Sequence, residues 1–280
     1  MASGVAIVTD STSDLPKSLC DEMGITVVPL TVTIDGESMP DRTLSMEEFF
    51  RRMRATPELP TTSQPAAGDF VEAFERALER ASEVVSINIS SKLSGTISSA
   101  TTAAEQFGGK VHVFDSKNLS WGLGFQVLEG ARAAASGLDA AGVLERVTHV
   151  RDKMHLIIGV DTLENLVKGG RLSRIGGVLG GLLNVKVTAA IHDGELVMDK
   201  KLRGNKAALD YGIHWLEEGM GDSKRGTFCV MHALAEDSAE WLRSEIEKRF
   251  EPIEIHMAET GTVIATHTGT GWGLTFFSED

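Results

Sequence analysis

Through the first half of the chain, short apolar runs that end in hydroxyl- or glycine-rich turns alternate with segments of helical periodicity. Residues 5–8 (Val-Ala-Ile-Val) run into Thr9, Asp10, Ser11 and Thr12, the pattern of a buried strand entering a turn. Residues 25–28 and 30–34 are β-rich and close on Asp35-Gly36, a hairpin signal. Ser45 with Glu48 three residues on predicts a capping box and a helix over 46–54. Phe70, Val71, Phe74 and Leu78 recur at helical spacing within 66–82, and 84–89 reads as the next strand. A small-residue helix is expected from Ser94-Gly95-Thr96 to 107, then a strand over 111–114 and helices over 119–136 and 140–153. Such alternation implies a parallel sheet covered on both faces.

The second half has a different texture. Residues 155–160 are apolar, 161–168 predict a short helix, and 169–177 are rich in glycine. Two β-like runs, 185–191 and 195–202, are joined by His192-Asp193-Gly194, a plausible hairpin turn. A helix over 205–218, a strand over 227–231 and a helix over 238–249 follow, with short strands expected at 253–256, 262–265 and 274–277. Hairpins mixed with helices point to a second α/β or α+β domain starting near residue 154.

Composition narrows the function classes. With 280 residues, 42% hydrophobic and 24% charged, the chain has ample material for two ordinary domains. Its net charge of −13 argues against a broad surface for nucleic acid or anionic membrane. Cys20 and Cys229 match no metal spacing and no disulfide scaffold, which fits a reducing cytoplasm. Residues 1–10 show no basic segment followed by an apolar one, so no signal peptide is expected, and the longest apolar stretches are broken before bilayer length. The charge is uneven: residues 168–206 carry eight basic and three acidic side chains, leaving −18 for the remainder. That segment is either a solvated face or a docking patch for an anionic partner.

Most catalytic signatures are missing. There is no Walker-type phosphate loop, no nucleophile elbow, no H-E-x-x-H and no complete dinucleotide fingerprint. The eight histidines show no paired metal spacing. No ATP, nicotinamide or zinc cofactor is expected. Three hydroxyl-rich turns remain: 9–16, 60–65 and 90–96. In a parallel α/β sheet such loops share the carboxyl edge, where ligands bind. Hydroxyls together with free amides at a helix start make an anion site without a cation. Each turn alone reads as well as a helix cap. A fourth segment, 266–271, offers the imidazole of His267.

At these residues the sequence resembles the DegV family of bacterial fatty-acid-binding proteins. The resemblance runs in order through residues 8–16, Val28-Pro29-Leu30, Thr61-Thr62-Ser63-Gln64-Pro65, 90–96, Val113-Phe114-Asp115-Ser116, Gly169-Gly170-Arg171-Leu172-Ser173, Asp193-Gly194 and Thr266-His267-Thr268-Gly269. It implies a three-layer α/β/α parallel-sheet domain (1–154) followed by a smaller two-layer mixed-sheet α/β domain (155–280). One long-chain fatty acid, such as palmitate or oleate, would be buried between them. By motif position, Thr62 and Ser94 would hold the carboxylate, amides near Gly95 and Thr96 would assist, and His267 and Arg171 would join the network. A sixteen-carbon tail offers about 12 kcal/mol of burial before ordering costs. Gly169, Gly170, Gly176, Gly177, Gly180 and Gly181 would open room for it or serve close helix packing.

The family is also similar to the carrier subunit of a bacterial fatty acid kinase, which presents the bound acid to a separate ATP-binding subunit for acyl-phosphate formation. In that reading Lys200, Lys201 and Arg203 dock the partner. The chain itself would be a lipid carrier rather than an enzyme. Two rivals stand beside it: a hydrolase or acyltransferase with Ser94 as nucleophile, His267 as base and Asp10 or Asp115 as the orienting group, and a binder of small polar ligands with a dihydroxyacetone-kinase-like fold. Two departures from the family pattern, Val187 where proline is common and the bulky Trp272, are expected to reshape the pocket.

Overall fold

The computed structural model describes residues 4–173 and 185–279. The chain opens with β1 (Val5–Asp10), a 3₁₀ turn over Ser11–Ser13, α1 (Lys17–Met23) and β2 (Thr26–Val28). β3 (Thr31–Ile34), β4 (Glu37–Pro40), α2 (Met46–Ala55) and β5 (Thr61–Ser63) follow. Then come α3 (Ala67–Leu78), β6 (Glu83–Asn88), α4 (Thr96–Ala104), β7 (Val111–Asp115), α5 (Ser120–Ala135) and α6 (Ala140–Lys153).

β2, β1, β6 and β7 form, in that order, a parallel sheet. The two-residue period of a strand divides its side chains between two cores. Ile7, Val85 and Ile87 pack with Val127 and Leu128 of α5 and Val143 and Val147 of α6. Ala6, Val8 and Val84 pack on the other face with Phe70 and Phe74 of α3 and Ala100 and Ala103 of α4. These are the three layers expected from the resemblance.

β4, β3 and β5 form a separate antiparallel sheet. Its hairpin turns on Asp35 and Gly36, both with positive φ (54° and 77°), as a two-residue turn of this hand requires. The sequence read 60–65 as a turn, whereas residues 61–63 pair with the edge of β3, Thr62 opposite Val32. Three hydroxyl residues carry no periodicity, and only the waiting hairpin edge makes them a strand. At the helix that follows the hairpin, the Ser45 hydroxyl accepts from Glu48 N at 3.3 Å and caps α2.

The second half contains β8 (His155–Val160), α7 (Glu164–Lys168), β9 (Leu172–Ser173), β10 (Val185–His192) and β11 (Glu195–Arg203). It continues with α8 (Asn205–Met220), β12 (Arg225–Ala233), α9 (Glu236–Arg249), β13 (Glu251–Glu259), α10 (Thr262–Thr268) and β14 (Gly271–Phe277). Its seven strands form one mixed sheet in the order β13-β12-β14-β8-β10-β11-β9. One face packs Ile157, Phe228, Leu274 and Phe276 against α8 and α9. The other places Leu156, Ile158, Cys229 and Met231 in the same core as Trp121, Phe125 and Leu128 of α5. α5 therefore lies between the two sheets.

Residues 262–265 were expected to be a strand and are instead the first turn of α10. Thr, Val and Ile disfavour helix by only about 0.7 kcal/mol per residue. Two aspartates from distant loops bind the start of this segment (below), and that outweighs local preference.

Of the two departures from the family pattern, Val187 is accommodated in the sheet, while Trp272 lines the narrower apolar cavity that adjoins the main one. Val187 continues the β10 ladder between Val160 and Lys201. The Trp272 indole packs with Leu209, Ile213 and Leu216 of α8. Arg174, Gly176, Gly177, Gly180 and Gly181 lie outside the described residues. Both cysteines are buried and free. Among the described residues no cluster of His, Cys, Asp or Glu could hold a metal ion, and no helix is long and apolar enough to cross a membrane.

Candidate functional site

A cavity of about 320 Å³ lies where β5, the β6–α4 loop, α7 and α10 meet. Leu30, Ile89, Leu93, Leu119, Leu166 and Leu196 supply apolar wall. The polar lining comes from Thr62, Ser63, Gln64, Ser94, Arg171, His267 and Thr268. A narrower apolar cavity shares Leu119, Ile264 and Thr268 with the first and reaches Leu156, Met231 and Gly273.

β5 presents the Thr62 hydroxyl, and its Oγ1 lies 2.8 Å from His267 Nε2 at the end of α10. Burial, and secondarily the charge of Arg171, pushes the His267 imidazole down to about 4. The ring is therefore neutral at physiological pH. Its Nδ1 is buried without a hydrogen-bond partner among the described residues. With the proton on Nε2, His267 donates to Thr62 and leaves the threonine proton free to face the cavity.

The third hydroxyl turn supplies Ser94. Its Oγ sits 2.8 Å from Thr96 Oγ1 and accepts from Thr96 N at 3.3 Å. Thr96 is fully buried behind Ser94 and sets its orientation. Gly95, which also lines the cavity, is the N-cap of α4. A Cβ at Gly95 would overlap the Gln64 carboxamide, whose Nε2 donates to Ser99 Oγ at 3.0 Å. Arg171 donates from Nη1 to Gly169 O at 2.5 Å and from Nε to Leu93 O at 3.4 Å. It thereby braces the two loops that flank the cavity.

The first hydroxyl turn does not face this cavity. Asp10 accepts from Thr12 N, Thr12 Oγ1, Asn88 Nδ2 and Ile89 N, and burial pushes its carboxyl above the usual range. Asp115 likewise binds Ser91 and Lys117 N. Neither carboxylate orients His267, and the His267 Nε2 contact is to Thr62 rather than to Ser94. The nucleophile–base–orienter chain of the hydrolase reading is not assembled here.

The basic segment resolves into separate roles. Lys168, Lys186 and Lys206 pair with Glu164, Asp161 and Asp210. Lys200, Lys201 and Arg203 project from β11, exposed and without an ion pair among the described residues. Lys200 Nζ stands 4.5 Å above the Tyr211 ring.

Comparison with known proteins decides the family. The DegV family model, described as an uncharacterised protein family, matches residues 4–279. The chain belongs to the DegV family. A DegV domain-containing protein of Lactococcus lactis is 38% identical over 276 residues, covering 96% of this chain and 98% of that one. One from Listeria monocytogenes is 39% identical over 269 residues, covering 95% and 96%. Among solved structures, a DegV family protein of Thermus thermophilus described by its fatty acid binding superposes with a TM-score of 0.92 at 36% identity. It covers 98% of this chain and 99% of that one. DegV of Bacillus subtilis, described as a fatty acid binding protein, gives 0.86 at 29% identity and covers 99% and 100%.

In this DegV chain the motif residues Thr62, Ser94, Gly95, Arg171 and His267 all line one cavity, with Thr96 one layer behind. Sequence reasoning missed Ser63 and Gln64 as lining residues, although both lie in the quoted Thr61–Pro65 motif. It also missed the leucine walls, whose residues come from five separate segments and share no pattern.

Proposed function

We propose that this protein binds one long-chain fatty acid, of the palmitate or oleate class, in the cavity between β5, the β6–α4 loop and α10. The carboxylate accepts hydrogen bonds from Thr62 Oγ1 and Ser94 Oγ. The start of α4 at Gly95 adds its dipole, and His267 and Arg171 complete the polar end. The observation that carries this reading is the composition of the cavity: hydroxyl donors gathered at polar positions of an otherwise leucine-lined space. A small polar ligand would leave those walls unsatisfied, whereas an alkyl chain stabilises the complex by about 0.8 kcal/mol per buried methylene. Relatives of the same fold are described as fatty-acid binders, which supports the assignment.

The hydroxyl donors suit a carrier that passes its acid on: they hold the carboxylate by hydrogen bonds, while the Arg171 guanidinium is already engaged by Gly169 O and Leu93 O. In our reading a separate ATP-binding kinase subunit phosphorylates the presented carboxylate, with Lys200, Lys201 and Arg203 at the docking face. Native mass spectrometry of the purified protein, followed by solvent extraction, tests the binding. A stoichiometric C14–C18 fatty acid is expected. An empty protein that also fails to take up added palmitate and oleate would overturn the proposal.

A further inference from the structure

Two buried carboxylates that play no part in the cavity converge on the start of α10. Asp14 follows the 3₁₀ turn in the left-handed region (φ 56°) and is almost wholly buried. It accepts from Ser120 Oγ, Thr260 Oγ1 and Gly261 N (2.7 Å), and from Arg42 Nη2 at 3.2 Å. Asp41, just past β4, accepts from Thr262 Oγ1 (2.8 Å), Val263 N (3.0 Å) and Ser11 Oγ (2.8 Å). Each of the four residues 260–263 thus donates to one aspartate or the other. A Cβ on Gly261 would stand 3.0 Å from Asp14 Oδ1 and from both oxygens of Asp41, so a larger residue would press both carboxylates back from the chain.

One capping side chain suffices for an ordinary helix start. Burying two carboxylates side by side is unfavourable, and the second exceeds what capping seven residues requires. The surrounding topology accounts for it. Asp41 and Thr62 belong to the same small sheet: Asp41 N donates to Leu30 O, at the entry to β3, and Thr62 pairs with Val32. That sheet therefore grips α10 at both ends, through Asp41 at residues 262–263 and through Thr62 at His267. Asp14 ties the same helix start to the loop after β1 and to Ser120 at the start of α5. Four of the seven residues of α10, namely Val263, Ile264, His267 and Thr268, line the cavity.

We infer that Asp14 and Asp41 are positioning residues of the binding site: they fix the start of α10 so that His267 meets Thr62 at its polar end. The inference rests on the fatty-acid reading for its ligand, and its geometry is testable without one. The side-chain ¹⁵N resonances of His267 in ligand-free protein, assigned by their loss in His267→Gln, report the Thr62 contact directly. Asp41→Ala and Asp14→Ala shift the Nε2 resonance and weaken palmitate binding by about tenfold, the scale of one lost charge-assisted bond. Asp41→Asn keeps an oxygen for Val263 N–H and stays within about threefold. Val143→Ala, buried in α6, is the control for general destabilisation and moves neither readout. Parental resonances and affinity in Asp14→Ala and Asp41→Ala overturn the inference. Where those variants do not fold, Thr262→Val removes a single donor, and an unshifted resonance there overturns it equally. A parent that takes up no palmitate defeats the fatty-acid reading alone and leaves the resonance to decide the clamp.

Discussion

Thr62 Oγ1 and His267 Nε2 lie 2.8 Å apart although 205 residues separate them in the chain. Each side chain is legible as a motif residue, but the contact between them exists only because β5 joins the β3 edge and α10 runs back toward it. The hydroxyl and the imidazole together define the polar end of the cavity, and the predictions begin there.

Thr62→Val and Ser94→Ala each remove one hydroxyl donor to the ligand carboxylate. Each is expected to weaken palmitate binding by about 1.5–3 kcal/mol, measured by isothermal titration. Thr62→Val should also lower the melting temperature, because it strips the buried His267 Nε2 of its partner, whereas Ser94→Ala should move it less. Undiminished affinity in both variants would put the carboxylate elsewhere.

His267 should titrate near 4 in the ligand-free protein, against about 6.5 in an unfolded chain. Between those values the unfolded state binds more protons, so this histidine removes stability as pH falls from about 6.5 toward 4. His267→Gln should flatten that part of the melting-temperature profile. A bound carboxylate stabilises the imidazolium, so palmitate should raise the His267 value. An NMR titration showing an ordinary histidine in the ligand-free protein would contradict the burial argument.

Gly95→Ala forces the Gln64 carboxamide out of its place beside Ser99. Palmitate affinity is expected to fall, and the double variant with Gln64→Ala, which clears the collision, should recover most of it. A double-mutant cycle with zero coupling would show that the two residues do not meet.

Lys200→Glu, Lys201→Glu and Arg203→Glu together reverse the exposed cationic strand of β11. Fatty acid uptake is expected to be unchanged. Kinase-dependent phosphorylation of the bound acid should drop, and the residual rate should depend less on ionic strength. Phosphorylation equal to the parent at physiological salt would remove this face from the docking surface.

Much of this molecule is readable before any coordinates. The runs at 5–8 and 84–89, the Asp35-Gly36 and Asp193-Gly194 turns, and the helix over 140–153 are local signals, and the chain obeys them. The motif residues around the cavity are equally visible because they cluster in four short segments. What escaped depends on contacts between distant segments. Thr61–Ser63 becomes a strand only beside β3. Thr262–Ala265 reads as a strand by its β-branched residues, yet Asp14 and Asp41 make it a helix. The turn at 9–16, grouped with the ligand loops by its hydroxyls, is a buried joint whose side-chain hydrogen-bond partners outside the turn are 19 to 247 residues away.

α5 is buried on nearly every side, with Trp121, Phe125 and Leu128 packed against strands of the second half. A nascent chain that has emerged only as far as α6 can complete its parallel sheet, but one flank of α5 then faces water with nothing to cover it. That flank is closed by strands whose last member ends at Phe277. Closing that flank must therefore wait until β14 has left the ribosome, with a large apolar surface open to chaperones in the interval.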